Sequence, residues 1–98
     1  MYKVRDVFRC KPGKAKDLVE RLKKTIPSTE REDGFRNSQI LVDVVADYWT
    51  VVWEAEFESL SDFEHHMASY GGRAEVREAM AGYMELVDSG HREIWRIV

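Results

Sequence analysis

Asp6 and His66 are the two residues of this 98-residue sequence whose types and predicted positions suggest proton-transfer chemistry. Asp6 lies in the middle of an alternating segment, on the side that otherwise carries apolar residues. His66 lies at the edge of the apolar stripe of a predicted helix, about 80° from its centre, whereas His65 points towards solvent. Because a carboxylate beside an imidazole orients the ring and favours its charged form, this pair would suit a site that moves a proton.

Aromatic residues at helical and strand spacings could form flat, apolar walls around the pair. The candidates for these walls are Trp49, Trp53, Phe57, Phe63 and Tyr83. Walls of this kind suit a small aromatic ligand. The same spacings also fit a plain hydrophobic core, and Asp6 could equally pair with an arginine or a backbone donor. A non-catalytic domain therefore stands as the alternative.

Hydrophobic periodicity predicts the elements that would position these residues. Period-two alternation predicts four strands, at residues 2–10, 39–45, 48–57 and 91–98. A first amphipathic helix with apolar residues from Ala15 to Ile26 is predicted to end at Pro27. Residues 28–34 are polar and predict a loop. Ala46 and Asp47 would then connect the second and third strands as a hairpin.

The second half of the chain predicts a helix in two segments. Its start is marked by a serine cap, Ser59 or Ser61, and Gly71-Gly72 interrupts it. The second segment, with a stripe from Val76 to Val87, is predicted to end at Gly90. The resulting order, β-α-β-β-α-β, predicts one α+β domain over residues 1–98. In this ferredoxin-like arrangement, both helices cover one face of a four-stranded antiparallel sheet.

The other face of the predicted sheet is open and mixes charged with apolar residues. Arg5 and Arg9 could pair across strands with Glu54 and Glu56. The last strand would add either Trp95 and Ile97 or Ile94 and Val98, depending on its phase. A half-polar face of this size suits contact with a second copy, so we expect a homodimer.

Composition excludes several classes of function. The formal charge of −3 argues against phosphate-backbone binding, and the RNP1 pattern of RNA-recognition domains, which share this strand order, is absent. The single cysteine, Cys10, excludes an internal disulfide and a cysteine metal cluster. His65 and His66 are adjacent on a helix, so their side chains diverge and no metal site is expected. We expect a cytoplasmic protein without membrane contact, because no apolar run suits a signal peptide or a bilayer span.

Three stretches resemble known families. They are Phe57-Glu58-Ser59 followed by Phe63, His66 and Ser69; the segment KPGKAKDLVERL; and Gly34-Phe35. Together they are similar to the antibiotic-biosynthesis-monooxygenase-like and NIPSNAP-like families of the dimeric α/β-barrel superfamily. The resemblance covers nearly the whole chain and implies a homodimeric α/β barrel.

Members of this superfamily differ in function, and the resemblance therefore implies alternatives. Some cleave quinone-like or polycyclic aromatic substrates with molecular oxygen and no cofactor, and for these His66 and Asp6 would manage protons here. Haem-degrading members carry Asn, Trp and His at positions that correspond to Asp6, His66 and about Val76, and none of these matches. We therefore expect a cofactor-independent, monooxygenase-like protein for quinone or polyphenol substrates or, alternatively, a non-catalytic ligand-binding or assembly module.

Overall fold

The structure is a computed structural model that describes residues 1–98. It contains strands β1 (Tyr2–Cys10), β2 (Arg36–Val42), β3 (Thr50–Phe57) and β4 (Val87–Arg96), and helices α1 (Ala15–Asp33), α2 (Leu60–Ser69) and α3 (Ala74–Ala79). Short 3-10 turns at Tyr70–Gly72 and Tyr83–Glu85 flank α3. The strands form one antiparallel sheet in the order β2-β3-β1-β4. This confirms the ferredoxin-like α+β fold.

The core lies between the sheet and the helices. Alternate residues of the central strands β1 and β3 are buried there because their side chains point to the helix side. One cluster joins Val51 to Leu18 and Leu22 of α1, and a second packs Phe35 against Trp53 and Phe57 of β3. The second cluster is aromatic and forms the floor beneath α2.

Helix α1 continues through Pro27 for six more residues, so its predicted end at Pro27 was wrong. Tertiary contacts compensate for the proline, because the extension buries Ser28, Thr29 and Asp33 against the rest of the protein. The helix ends at Gly34, whose left-handed φ of 71° closes the last turn with an N–H bond to the Glu30 carbonyl. Neither α1, the longest helix, nor any other has an apolar stretch able to cross a membrane.

Strand β2 lies three residues earlier than predicted, and a longer connection follows it. The Asp43 carboxylate accepts a hydrogen bond from the Thr50 N–H at 3.0 Å, which ends strand pairing at Val42 and leaves residues 43–49 as a loop. Trp49 adopts a positive φ of 62°, so the strand alternation starts only at Thr50. The hairpin prediction was confirmed in its antiparallel pairing but not in its two-residue turn.

The start and the break of the second helical region agree with the sequence. Ser59 and Asp62 form the predicted capping box, each side chain bonding the other's backbone N–H. The helix breaks at Tyr70–Gly72, where Gly71-Gly72 predicted it. The sequence predicted an apolar stripe of Leu60, Phe63 and Met67 on α2. The burial differs, because Leu60 and Met67 are half exposed whereas His66 is buried.

The end of the helical region differs from the prediction. Helix α3 stops at Ala79. The guanidinium of Arg21 in α1 donates to the carbonyl group of this last residue and to that of Ala81, which follows the helix. Strand β4 begins at Val87, so Gly90 lies inside the strand and does not end a helix. A Cβ at Gly90 would lie 2.6 Å from the Val7 carbonyl oxygen, so close pairing with β1 requires glycine there.

The register of β4 against β1 fixes its phase. Trp95 lies opposite Lys3 on the open face, whereas Arg92 lies opposite Asp6 on the helix side. Arg5 pairs with Glu54 across the open face at 2.7 Å, as expected. The expected pairing of Arg9 with Glu56 was wrong, because Arg9 lies opposite Thr50 and forms its ion pair with Asp47.

Candidate functional site

A cavity of about 530 Å³ lies between the sheet and the α2–α3 layer. Its wall is mainly apolar and combines strand, helix and turn residues. The lining residues are Asp6, Phe8, Leu22, Thr25, Trp53, His66, Met67, Tyr70, Gly71, Val76, Arg77, Met80, Tyr83 and Arg92. Asp6 and His66 thus border the same space, as their predicted positions suggested.

His66 is the one buried residue of α2, with 3% of its surface exposed. Its ring stacks on Phe35 at 4.9 Å between centroids and lies 4.6 Å from the ring of Tyr70. Its Nδ1 forms a 2.7 Å hydrogen bond with the carboxylate of Asp33. Helix α1 supplies this carboxylate because it continues past Pro27, so the acid beside His66 is Asp33 and not Asp6.

Arg73 holds the other side of the Asp33 carboxylate. Its guanidinium bonds both carboxylate oxygens, with Nη1 3.0 Å from Oδ2 and Nη2 on Oδ1. The same guanidinium also donates to the hydroxyl groups of Ser28 and Ser69. His66, Asp33 and Arg73 therefore form one connected group, here called the buried network, that ties the end of α1 to the joint between α2 and α3.

Within the buried network His66 is neutral and Asp33 is ionised. Burial lowers the pKa of His66, and the nearby charges of Arg73 and Arg92 lower it further, against the opposing effect of Asp33. Burial alone would raise the pKa of Asp33, but the hydrogen bonds from Arg73 and His66 outweigh it and the pKa falls. Near neutral pH the site thus contains a carboxylate and an uncharged imidazole.

The second ring nitrogen of His66, Nε2, has no hydrogen-bond partner within the protein, since its Nδ1 makes the only such bond of the ring. Ser38 Oγ is the single fully buried side-chain polar atom that lacks a partner. Because Nε2 also lacks a partner but is not among the fully buried atoms, it must have some accessible surface. His66 lines the cavity, so this surface faces it. An uncharged imidazole nitrogen that borders an apolar space can accept a proton or a hydrogen bond from a molecule bound there.

Asp6 is neutralised by Arg92 of β4. The guanidinium binds the carboxylate through two bonds, at 2.6 Å from Nε to Oδ1 and 3.1 Å from Nη2 to Oδ2. Arg92 also lies over the Phe63 ring at 5.3 Å and contacts Met67 Sδ. Of the three partners considered for Asp6, namely His66, an arginine and a backbone donor, the structure shows the arginine.

The predicted aromatic residues separate into three groups. Trp53 and Tyr83 line the cavity. Phe57 is completely buried in the core and stacks with Phe63, which closes that core under α2 and does not reach the cavity. Trp49 lies elsewhere, in a surface groove with Val19 of α1, because its positive φ turns it out of the strand alternation.

Arg77 and Tyr70 are cavity residues that the sequence did not single out. The side chain of Arg77 is exposed and makes no ion pair or hydrogen bond within the protein, so it adds a positive charge to the cavity. Burial raises the pKa of the Tyr70 hydroxyl group. The phenol therefore stays protonated at neutral pH beside the imidazole.

Sequence comparison identifies the family. The family model described as antibiotic biosynthesis monooxygenase matches residues 1–82, most of the chain. The chain belongs to the antibiotic biosynthesis monooxygenase family. The match confirms the resemblance found in the sequence and spans β1 to α3, including every residue of the buried network. No curated protein sequence matches this family member at a significant level.

Solved structures resemble this antibiotic biosynthesis monooxygenase family member over nearly its whole length. A NIPSNAP family protein from Agrobacterium tumefaciens has a TM-score of 0.83 at 14% identity, covering 99% of this chain and 92% of that one. A NIPSNAP-like domain protein from Burkholderia xenovorans has a TM-score of 0.82 at 14% identity, covering 99% and 84%. A Shewanella oneidensis protein is 25% identical with a TM-score of 0.74, covering 96% and 87%. The fold is thus shared with NIPSNAP-like proteins.

Proposed function

We propose that the chain binds a small aromatic molecule in the cavity and oxygenates it without metal or flavin, with His66 as the base. The observation that carries this proposal is the position of His66, whose Nδ1 is bonded to Asp33 while the ring lines an apolar cavity. The substrate class is that of quinone-like or polyphenol compounds in their hydroxyl-bearing forms. Membership in the antibiotic biosynthesis monooxygenase family supports the reaction type.

The size and lining of the cavity support an aromatic ligand. Its volume of about 530 Å³ falls within the range of about 300–1,000 Å³ that small-molecule sites occupy. Trp53, Tyr83 and Phe8 offer flat surfaces, and more than half of the lining residues are hydrophobic. A planar ligand can bury its rings against these side chains while a hydroxyl group reaches His66.

The reaction that follows from this arrangement begins with proton transfer. His66 Nε2 removes the proton of a phenolic hydroxyl group and leaves an electron-rich phenolate, which molecular oxygen attacks at the para carbon. One oxygen atom becomes the new carbonyl oxygen of a quinone. The other leaves as water with the hydroxyl hydrogen and the ring hydrogen, so a phenol and O₂ give a quinone and H₂O. Oxygen is the oxidant, and the imidazole returns its proton to the departing water.

Oxygen consumption with 1-naphthol should depend on His66. We expect His66→Ala to lower the rate of oxygen uptake by about 100-fold, since a positioned base contributes about 10²–10⁴ to a rate. The measurement is oxygen-electrode recording with chelator-treated protein. Glu64→Ala is the matched control, because Glu64 is exposed on the same helix and does not line the cavity, and the rate of this variant should equal that of the wild type. Binding of 1-naphthol without oxygen uptake by the wild-type protein would contradict the oxygenase step and favour a non-catalytic ligand-binding protein.

We also propose that two copies associate through the open sheet face. This face carries exposed Trp95 and Leu41 and contains both charge signs, with Arg5 bound to a largely buried Glu54. A surface that combines apolar side chains with both positive and negative side chains can pack against the same surface of a second copy across a two-fold axis.

Sedimentation equilibrium should give the mass of two chains for the wild-type protein. Trp95→Glu should shift it to the mass of one chain, because Trp95 is 57% exposed on this face and a charge there would be buried without a partner. Met84→Glu, at an exposed position in the Tyr83–Glu85 turn, should leave the dimer intact. A single-chain mass for the wild-type protein would overturn the dimer.

A further inference from the structure

We propose that Asp33 and Arg73 are positioning residues that hold His66 with its proton on Nδ1, so that the cavity presents Nε2 as a hydrogen-bond acceptor. The inference rests on the proposed function, because it specifies the chemical form of ligand that the site takes. A ligand that offers a hydroxyl donor would bind, whereas the same aromatic frame without that donor would bind weakly.

Hydrogen-bond roles within the buried network determine the tautomer. Arg73 can only donate, and it bonds both oxygens of the Asp33 carboxylate. An ionised carboxylate can only accept, so its 2.7 Å contact with His66 Nδ1 requires the proton to lie on Nδ1. The carboxylate itself cannot rotate away, because its side chain is fully buried and Arg73 is held in turn by Ser28 and Ser69.

Burial is the main reason that the His66 ring stays neutral, and the charged groups around it act in both directions. Asp33 of α1 favours the protonated imidazolium, whereas Arg73 after α2 and Arg92 of β4 disfavour it. Tyr70, packed on the ring, stays protonated and brings no negative charge. His65 is exposed, and its Nε2 lies 3.6 Å from Asp33 Oδ1. Burial and the two cations thus lower the pKa of His66, whereas Asp33, whose charge Arg73 already neutralises, raises it.

A neutral ring with its proton on Nδ1 has a lone pair on Nε2. A ligand in the cavity must donate to this nitrogen or leave it without a partner after displacing water. An unpartnered acceptor of this kind weakens binding by about tenfold. The site therefore selects hydroxyl-bearing aromatics over ethers of the same shape.

Long-range ¹H–¹⁵N NMR of the histidine rings tests the tautomer directly near neutral pH. The wild-type His66 ring should show a protonated Nδ1 and an unprotonated Nε2. In Asp33→Asn, Arg73 would keep the amide oxygen, so the amide NH₂ would face Nδ1 and the proton would move to Nε2. Asp17→Asn, an exposed change on the same helix, should leave the His66 signals unchanged. A wild-type ring protonated on Nε2, or on both nitrogens, would overturn the assignment even if Asp33→Asn failed to fold.

Binding of a matched probe pair by calorimetry tests the consequence for the ligand. Wild-type protein should bind 1-naphthol about tenfold more tightly than 1-methoxynaphthalene, which has no hydroxyl donor. The Asp33→Asn variant should bind the two probes with similar affinity, because Nε2 of His66 would carry the proton and become a donor. Equal affinities in the wild-type protein would overturn the inferred ligand form. Absence of binding by both probes would count against the proposed function, whereas the NMR tautomer decides the roles of Asp33 and Arg73 separately.

Discussion

Arg73→Ala should lower the free energy of unfolding by about 3–5 kcal/mol, because it removes the cation from a buried carboxylate. The side chain of Asp33 is fully buried and would keep only His66 as a strong partner. The Ser28 and Ser69 hydroxyl groups would also lose their donor. Urea denaturation monitored by circular dichroism measures the loss.

Arg77→Ala is the matched control for this change. Arg77 lies four residues after Arg73, in α3, but it is exposed and forms no ion pair. Its removal should change the free energy of unfolding by less than about 0.5 kcal/mol. A loss below about 1 kcal/mol for Arg73→Ala would mean that Asp33 is not an ionised, buried partner, and the account of the buried network would be wrong.

Phe57→Ala should lower the free energy of unfolding by about 3–5 kcal/mol, the usual cost of deleting a fully buried phenylalanine. Phe57 has no exposed surface and stacks with Tyr2, Phe35 and Phe63 at centroid distances of 5.1–5.6 Å. The cavity that the change leaves cannot collapse fully, since sheet and helix hold its walls. Chemical denaturation gives the magnitude.

Tyr48→Ala supplies the comparison for Phe57→Ala. Tyr48 is an aromatic residue in the loop before β3, with most of its surface exposed. Its loss should cost less than about 0.5 kcal/mol. If Phe57→Ala cost no more than Tyr48→Ala, Phe57 would not be a core residue and could be a ligand contact, as the sequence first suggested.

The sequence predicted correctly those elements whose bounds follow from regular alternation of apolar residues or from a local cap. Strand β1 was found at its predicted bounds, and the Ser59 capping box marks the start of α2. The errors arose where a tertiary contact overrides a local signal. Helix α1 passes Pro27 because its last turns are buried, and Gly90 lies in a strand because the backbone of Val7 leaves no room for a side chain.

The site was predicted in part, and the missing residues follow from the same errors. Placing the end of α1 at Pro27 assigned Asp33 to a loop, so the acid that bonds His66 was overlooked. Arg92 was overlooked because the phase of β4 was open, although a cation opposite Asp6 on a neighbouring strand is the signal that would have found it. Arg73, after the glycine break, has no sequence signal that links it to Asp33.

The cavity beside His66 should hold an aromatic ligand, and the indole N–H signals of the three tryptophan residues test this most directly. Trp53 lines the cavity, Trp49 lies in the surface groove and Trp95 lies on the open sheet face. On titration with 1-naphthol, ¹H–¹⁵N NMR should show a saturable shift of the Trp53 signal, with the Trp49 and Trp95 signals unchanged. A Trp53 signal that does not move while Trp49 or Trp95 shifts would contradict the claim.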